Sequence, residues 1–231
     1  MVTSGNHEVE MVPILVTEGF RSYNARWRMP YAESNSTSNL YYSFDVAGAH
    51  VIMLGSYTHF GVESDQYRWL REDLAAIDRV KTPWVLVLVH APWYNTNKAH
   101  QGEGESMRVA MEDLLFHARV DIVIAGHVHA YERFTRIYNK QGNQCGPVYI
   151  TIGDGGNREG LVTKFEEPQW KNSLFRESSF GHARLELMDE NRALWSWHRN
   201  QDDGLIAADK ASFESLRSNP KCWRGSDRDE L

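Results

Sequence analysis

Residues 120–129, Val120-Asp121-Ile122-Val123-Ile124-Ala125-Gly126-His127-Val128-His129, decide how this chain is read. The first six are mostly apolar and β-branched, the composition of a buried strand. A glycine at the strand's end lets the backbone turn sharply, so two imidazoles two residues apart can project into one cavity. Imidazole is the commonest neutral ligand for Zn, Fe and related metals. A lone His-x-His also occurs on ordinary exposed strands, so its weight depends on what else ends the same way.

A second apolar run, Trp84-Val85-Leu86-Val87-Leu88-Val89, delivers His90 at its carboxyl end. Between the two runs, residues 105–119 carry Met107, Met111, Leu114, Leu115 and Ala118 at helical spacing. Strand, helix, strand with short joins is a βαβ unit, which predicts parallel strands and a right-handed crossover. Sites in open parallel sheets form outside the carboxyl ends of the strands. That places His90, His127 and His129 on one rim. A third segment, Gly5-Asn6-His7-Glu8, again sets a glycine before potential ligands.

Around this unit, residues 40–46 and 50–54 read as a hairpin turning at Gly48. Ser64 or Asp65 can cap a helix running to Val80, with Tyr67, Leu70, Leu74 and Ile77 as its core stripe. Runs 147–152, 182–188 and 193–198 read as strands of a terminal cap. His182 and His198 fall in those strands as packed or hydrogen-bonded residues, and His50, His59 and His117 are structural or surface residues. Residues 165–180 read as a loop, and a poorly ordered tail is expected beyond Ser212. Trp93 and Tyr94 either wall the cleft after His90 or brace its loop.

In order, Gly-Asn-His-Glu (5–8), Val87 to His90 and Gly-His-Val-His (126–129) resemble the metallophosphoesterase superfamily. His90-Ala91-Pro92-Trp93-Tyr94-Asn95, Gly126-His127-Val128-His129-Ala130-Tyr131-Glu132-Arg133 and Ile152-Gly153-Asp154-Gly155-Gly156-Asn157 narrow the resemblance to the plant purple acid phosphatases. The resemblance covers nearly the whole chain. It implies an α/β fold, a sandwich of mixed β-sheets flanked by helices and here missing its first strands. It divides the chain into the C-terminal part of a catalytic domain (1–135), a cap segment (136–211) and a polar tail (212–231).

The resemblance also implies an acid phosphatase hydrolysing small phosphate monoesters at an Fe(III) ion paired with divalent Zn, Mn or Fe. Asn6, His90 and His127 match the ligands of the divalent ion, and His129 matches a ligand of the ferric ion. His7 matches a histidine that contacts phosphate and assists proton transfer. His100 matches one of two adjacent histidines, the other position being Ala99. Two metals roughly 3.5–4 Å apart can clamp a phosphoryl oxygen and generate a hydroxide nucleophile. A histidine beside the leaving oxygen can contribute roughly 10²–10⁴-fold as a proton donor.

The family's upstream Gly-Asp-x-Gly and Gly-Asp-x-x-Tyr motifs, which supply an aspartate to iron, a bridging aspartate and the purple tyrosinate, do not precede Gly5. Gly153-Asp154-Gly155-Gly156 spells the first of them but follows all the histidines, and Asp154 is not expected to be a ligand. The residues present suffice for one divalent ion. Two readings follow: part of an acid phosphatase, or a non-catalytic metal-binding or interaction protein.

Composition fits a globular chain of 231 residues, 42% hydrophobic and 12% aromatic. A formal charge of −6 argues against nucleic acid as a partner, and no apolar span is long enough for a membrane helix. Asn35-Ser36-Thr37 is a glycosylation sequon, and Arg228-Asp229-Glu230-Leu231 is one residue from an endoplasmic-reticulum retrieval signal, both pointing to the secretory pathway. Cys145 and Cys222 can pair with each other, or Cys145 can bridge two subunits of a homodimer as a nearby cysteine does in some relatives. Expressed alone, the chain should be colourless and poorly soluble, since the tyrosinate is missing and a sheet edge is open. A soluble purple preparation overturns the truncated reading.

Overall fold

The computed structural model describes residues 1–10, 19–203 and 206–222. Its centre is a mixed sheet ordered β1-β2-β3-β4-β7-β5-β6, with β8 also pairing β5. The strands are β1 (Tyr42–Val46), β2 (Ala49–Leu54), β3 (Trp84–Val89), β4 (Ile122–Ala125), β5 (Tyr131–Tyr138), β6 (Gln141–Gly142), β7 (Val148–Ile152) and β8 (Ser173–Glu177). Strands β2, β3, β4 and β7 are parallel, while β1 and β5 pair antiparallel at the flanks. A second sheet of β9 (Gly181–Leu187), β10 (Arg192–Arg199) and β11 (Ala207–Glu214) is antiparallel.

Side-chain alternation separates two cores. The helices are α1 (Arg21–Arg26), α2 (Asp65–Ala76) and α3 (Glu105–His117), and Val85, Val87, Val89, Val123 and Tyr149 face α2 and α3. Trp84, Leu86, Ile122, Val148 and Ile150 face the opposite way and pack with Trp195, Trp197 and Phe213 of the small sheet. Because both faces are covered, β3 and β4 read as continuous apolar runs. The sandwich architecture is as the resemblance implies, with α2 and α3 sharing one face.

Helix α2 starts where expected, Ser64 Oγ accepting the Tyr67 N–H at 3.1 Å. It stops at Ala76, four residues before the expected Val80. Asp78 is the reason: its backbone carbonyl accepts from the Lys81 and Thr82 N–H groups and its side chain from Val80, a local turn that competes with helix. The turn sends Arg79 inward, where its guanidinium meets the carboxylate of Asp121 at 2.9 Å and the carbonyls of Pro83 and Arg119.

Four further expectations are corrected. Residues 148–152 are not a cap strand: β7 lies in the central sheet, parallel to β4. The boundary expected at 135/136 falls inside β5, which continues to Tyr138 because β7 and β8 pair along it. Residues 165–180 contain β8 as well as loop, its partner being Tyr131 to Phe134. The described part of the expected tail is ordered: β11 buries Phe213, then Leu216 and Cys222 are buried. Cys222 is disulfide-bonded to Cys145, with Cα atoms 5.3 Å apart and a sequence separation of 77. Cys145 is therefore engaged within the chain and not with a second subunit. The terminal Arg228-Asp229-Glu230-Leu231 lies outside the described residues.

The hairpin is fastened to α2 by His50, whose Nδ1 lies 2.7 Å from Asp45 and Nε2 2.9 Å from Asp73. Asp73 also accepts from the Ser43 hydroxyl. Burial pulls the His50 pKa down, but the hydrogen bonds and charges of Asp73 and Asp45 outweigh it, and the net shift is upward. A raised histidine pKa gives stabilisation that is complete below the unfolded value, near 6.5, and fades as pH rises through the folded one. Replacing His50 by Gln should therefore lower stability by ~0.5–1 kcal/mol at pH 5–6 and by less at pH 8–9. Denaturant midpoints across that range are the measurement, and a pH-independent deficit contradicts the assignment.

Candidate metal centre

Three chain segments reach the carboxyl rim of the parallel strands. The register pairs Val89 with Ala125, so His90 and Gly126 emerge level, and the Gly126 N–H donates to the His90 carbonyl at 3.0 Å. The left-handed residue of the turn is His127 itself, at φ 65, and not Gly126 as the sequence suggests. Gly5 is required for a different reason: a Cβ there would lie 2.7 Å from His90 Cε1. The missing side chain lets the short 3-10 turn Asn6–Glu8 lie against the imidazole. Glu8 closes that turn by accepting the Gly5 N–H at 2.7 Å.

The donor atoms converge. His90 Nε2 lies 3.1 Å from Asn6 Oδ1 and 3.2 Å from His127 Nδ1. Ligand atoms bound at 2.0–2.2 Å to one ion are separated by about 2.8–3.6 Å in octahedral or tetrahedral geometry. His90 carries one proton at most on that nitrogen in its neutral form, so proton sharing alone cannot satisfy both neighbours. The donor set fits one divalent ion.

These three residues, with His7, His100, His129, Gly153, Asn157 and Glu159 among others, line one cavity of about 270 Å³. Burial lowers the His90 pKa to about 4, with further lowering by the facing charges of His127 and its other histidine neighbours. His127 is lowered too, by burial, against the opposing hydrogen bond from Glu103. Both rings are thereby held in the neutral form that ligation requires.

Glu103 was not singled out in the sequence. Its Oε2 lies 2.7 Å from His127 Nε2 and its Oε1 2.8 Å from His100 Nδ1. The carboxylate holds the proton of His127 on Nε2 and leaves Nδ1 with its lone pair toward His90, the carboxylate–histidine arrangement that orients metal ligands. His100, at φ 57, sets its ring centroid 4.0 Å from that of His127, the two planes tilted by 50°. The available signal was a carboxylate three residues after His100, at the edge of α3.

His129 stands apart from the triad. Its Nδ1 is 3.0 Å from the Gly160 carbonyl, so that nitrogen is the donor, and Nε2 is 4.0 Å from Glu159. His7 is mostly exposed, 3.6 Å from the other oxygen of Glu159. Glu159 is thus a second carboxylate that the sequence reading passed over. Asp154 is fully buried and accepts from the Trp197 indole N–H at 2.8 Å, burial raising its pKa to about 6. It does not line the cavity.

Trp93 and Tyr94 are buried in the helix-side core, with the Tyr94 hydroxyl donating to Glu112, so they brace the loop. His182 and His198 pair with Asn200 and Ser196 in the small sheet. Tyr57 packs on both triad imidazoles, at 5.8 and 6.4 Å between ring centroids.

Comparison with known proteins gives a consistent answer. Residues 1–131 match the family described as calcineurin-like phosphoesterase, and residues 146–209 match iron/zinc purple acid phosphatase-like protein C. The chain is 64% identical over its whole length to purple acid phosphatase 22 of Arabidopsis thaliana, covering 54% of that protein. It is 48% identical to the phosphoenolpyruvate phosphatase of Allium cepa, over 92% of this chain and 47% of that protein. The purple acid phosphatase PPD1 from yellow lupin seeds superposes with a TM-score of 0.78 at 25% identity, over 92% of this chain and 40% of that one. The chain spans about half the length of the curated relatives it matches.

If Glu103 orients His127, Glu103→Ala should weaken Zn²⁺ binding to the chain by roughly 10–100-fold while the circular dichroism spectrum stays unchanged. Calorimetric titration with zinc checks this. Equal affinity in both proteins removes Glu103 from the centre.

Proposed function

The chain belongs to the calcineurin-like phosphoesterases and, within them, to the purple acid phosphatases, and from that we propose that it contributes the divalent-metal side and the proton-handling histidines of an acid phosphatase acting on small phosphate monoesters. The observation that carries the proposal is the convergence of Asn6, His90 and His127 on one cavity shared with His7, His100 and His129.

Asn6, His90 and His127 would hold the divalent ion, Zn, Mn or Fe, and His129 would face the Fe(III) position. The family description names iron and zinc, which is as far as metal identity is supported. Bound metal supplies a polarised phosphoryl oxygen and an activated water. The neutral amide of Asn6 adds no charge and so leaves the ion electrophilic. His7 and His100 stand at the cavity wall, where an imidazole can hand a proton to a departing alkoxide. Glu103 keeps His100 Nδ1 in a fixed hydrogen bond, which presents the opposite nitrogen for that transfer.

Among the described residues no aspartate lines the cavity, and its lining carboxylate, Glu159, faces His7 and His129 and not the triad, so a charge-balanced metal pair draws on further carboxylates. The isolated chain is read as a one-ion binder, and the two-ion chemistry as a property of a longer protein. Plant purple acid phosphatases are generally secreted. No helix among the described residues is long and apolar enough to cross a membrane. Retrieval through Arg228-Asp229-Glu230-Leu231 would refine the location to the endoplasmic reticulum. Any homodimer is read as non-covalent, because both cysteines are engaged within the chain.

The test is metal content and p-nitrophenyl phosphate turnover at acidic pH, on this chain and on a version extended upstream. Activity is expected in the longer protein alone, and His127→Ala there should abolish it. Comparable rates in both lengths contradict the need for further carboxylates. Near-normal turnover in His127→Ala removes that residue from the metal.

A further inference from the structure

We propose that Asn35 carries an N-linked glycan. Asn35-Ser36-Thr37 is the only Asn-x-Ser/Thr triplet in the 231 residues. The acceptor in such a triplet is the asparagine side-chain amide, and the attached sugar is bulky and must point to solvent.

The local structure presents that amide outward. Asn35 is exposed and sits at φ 55, a left-handed turn position that asparagine tolerates better than most residues. Its backbone N–H donates to the Ala32 carbonyl, while its side-chain amide has no partner among the described residues. Four residues on, Asn39 shows the contrast. Its Oδ1 accepts the Met29 N–H at 2.7 Å and its Nδ2 donates to Asn24 and to the Trp27 carbonyl. One amide holds the loop together and the other is free.

Of the other two residues of the triplet, Ser36 faces inward and Thr37 is exposed but has its hydroxyl engaged. Ser36 is buried and donates its hydroxyl to the Tyr41 carbonyl at 2.6 Å, and the Thr37 hydroxyl lies 2.6 Å from that of Tyr41. The threonine hydroxyl belongs to the recognised triplet, and here the folded turn occupies it. Sugar transfer therefore has to precede closure of this turn, as co-translational glycosylation does.

A separate observation places the chain where that transfer occurs. Cys145 and Cys222 are disulfide-bonded and no free cysteine remains. Structural disulfides of this kind form in oxidising compartments such as the endoplasmic-reticulum lumen. The glycan would stand beside an open groove of about 700 Å³ lined by Thr37, Ser38, Tyr41, His59 and Arg68, among others. That groove shares no lining residue with the histidine cavity, so the modification leaves the metal centre open.

The experiment is expression through a eukaryotic secretory pathway, followed by glycosidase treatment and peptide mass mapping. One discrete mobility shift is expected on treatment, with Asn35 converted to Asp in the mapped peptide. Asn35→Gln and Thr37→Ala should lack the shift, and Thr37→Ser should retain it. Should a variant fail to accumulate, the mass of the unmutated peptide decides the matter alone. An unmodified Asn35 in a protein whose Cys145–Cys222 bond has formed overturns the proposal. So does a glycosidase shift that persists in Asn35→Gln.

Discussion

The carboxylate of Asp121 is the point on which the framework turns. It sits in an otherwise apolar run, fully buried, and an unpaired charge there would be strongly destabilising. Three groups reach it instead, and a fourth binds the backbone carbonyl of the same residue. Arg79 and the Val85 N–H reach one oxygen at 2.9 and 2.8 Å, the Leu216 N–H reaches the other at 2.6 Å, and the Asp121 carbonyl accepts from Val148. One residue thereby joins the entry of β3, the entry of β4, the start of β7 and the segment after β11. The strands that leave this node in register arrive in register at the other end, where His90 and His127 emerge.

At that end the donor atoms are placed by sterics as much as by bonding. The bare backbone of Gly5 admits the Asn6 turn, the left-handed His127 turns its ring back toward His90, and Glu103 fixes which nitrogen faces the centre. Each device acts on one side chain, and together they bring Asn6, 84 residues before His90, and His127, 37 residues after it, within hydrogen-bonding distance of His90 Nε2. Burial lowers the pKa of both imidazoles, that of His90 to about 4, which favours their neutral form.

Much of this was legible in the sequence because it is periodic or local. The apolar runs of β3 and β4, the stripe of α3 and the Gly48 hairpin depend on neighbours a few residues away. What escaped depends on distant partners. Strand β11 reads as polar, yet Asp209 is buried because Arg133 and Tyr131 of β5 bind it. Strand β8 has no alternation of its own and exists through pairing with β5. The histidine and asparagine positions came from motifs, whereas Glu103 and Glu159 carry no motif and are recognisable only by what stands opposite them in space.

The backbone at His100 and His127 bears on how such a centre can change over time. A residue with a Cβ in the left-handed region carries a penalty of roughly 1–2 kcal/mol that glycine avoids. Both positions accept it, at φ 57 and φ 65. Mutational drift toward a hardier scaffold would favour glycine at these two sites and erase the imidazoles in the same step. Robustness and chemistry thus pull against each other at the two places whose rings lie in contact.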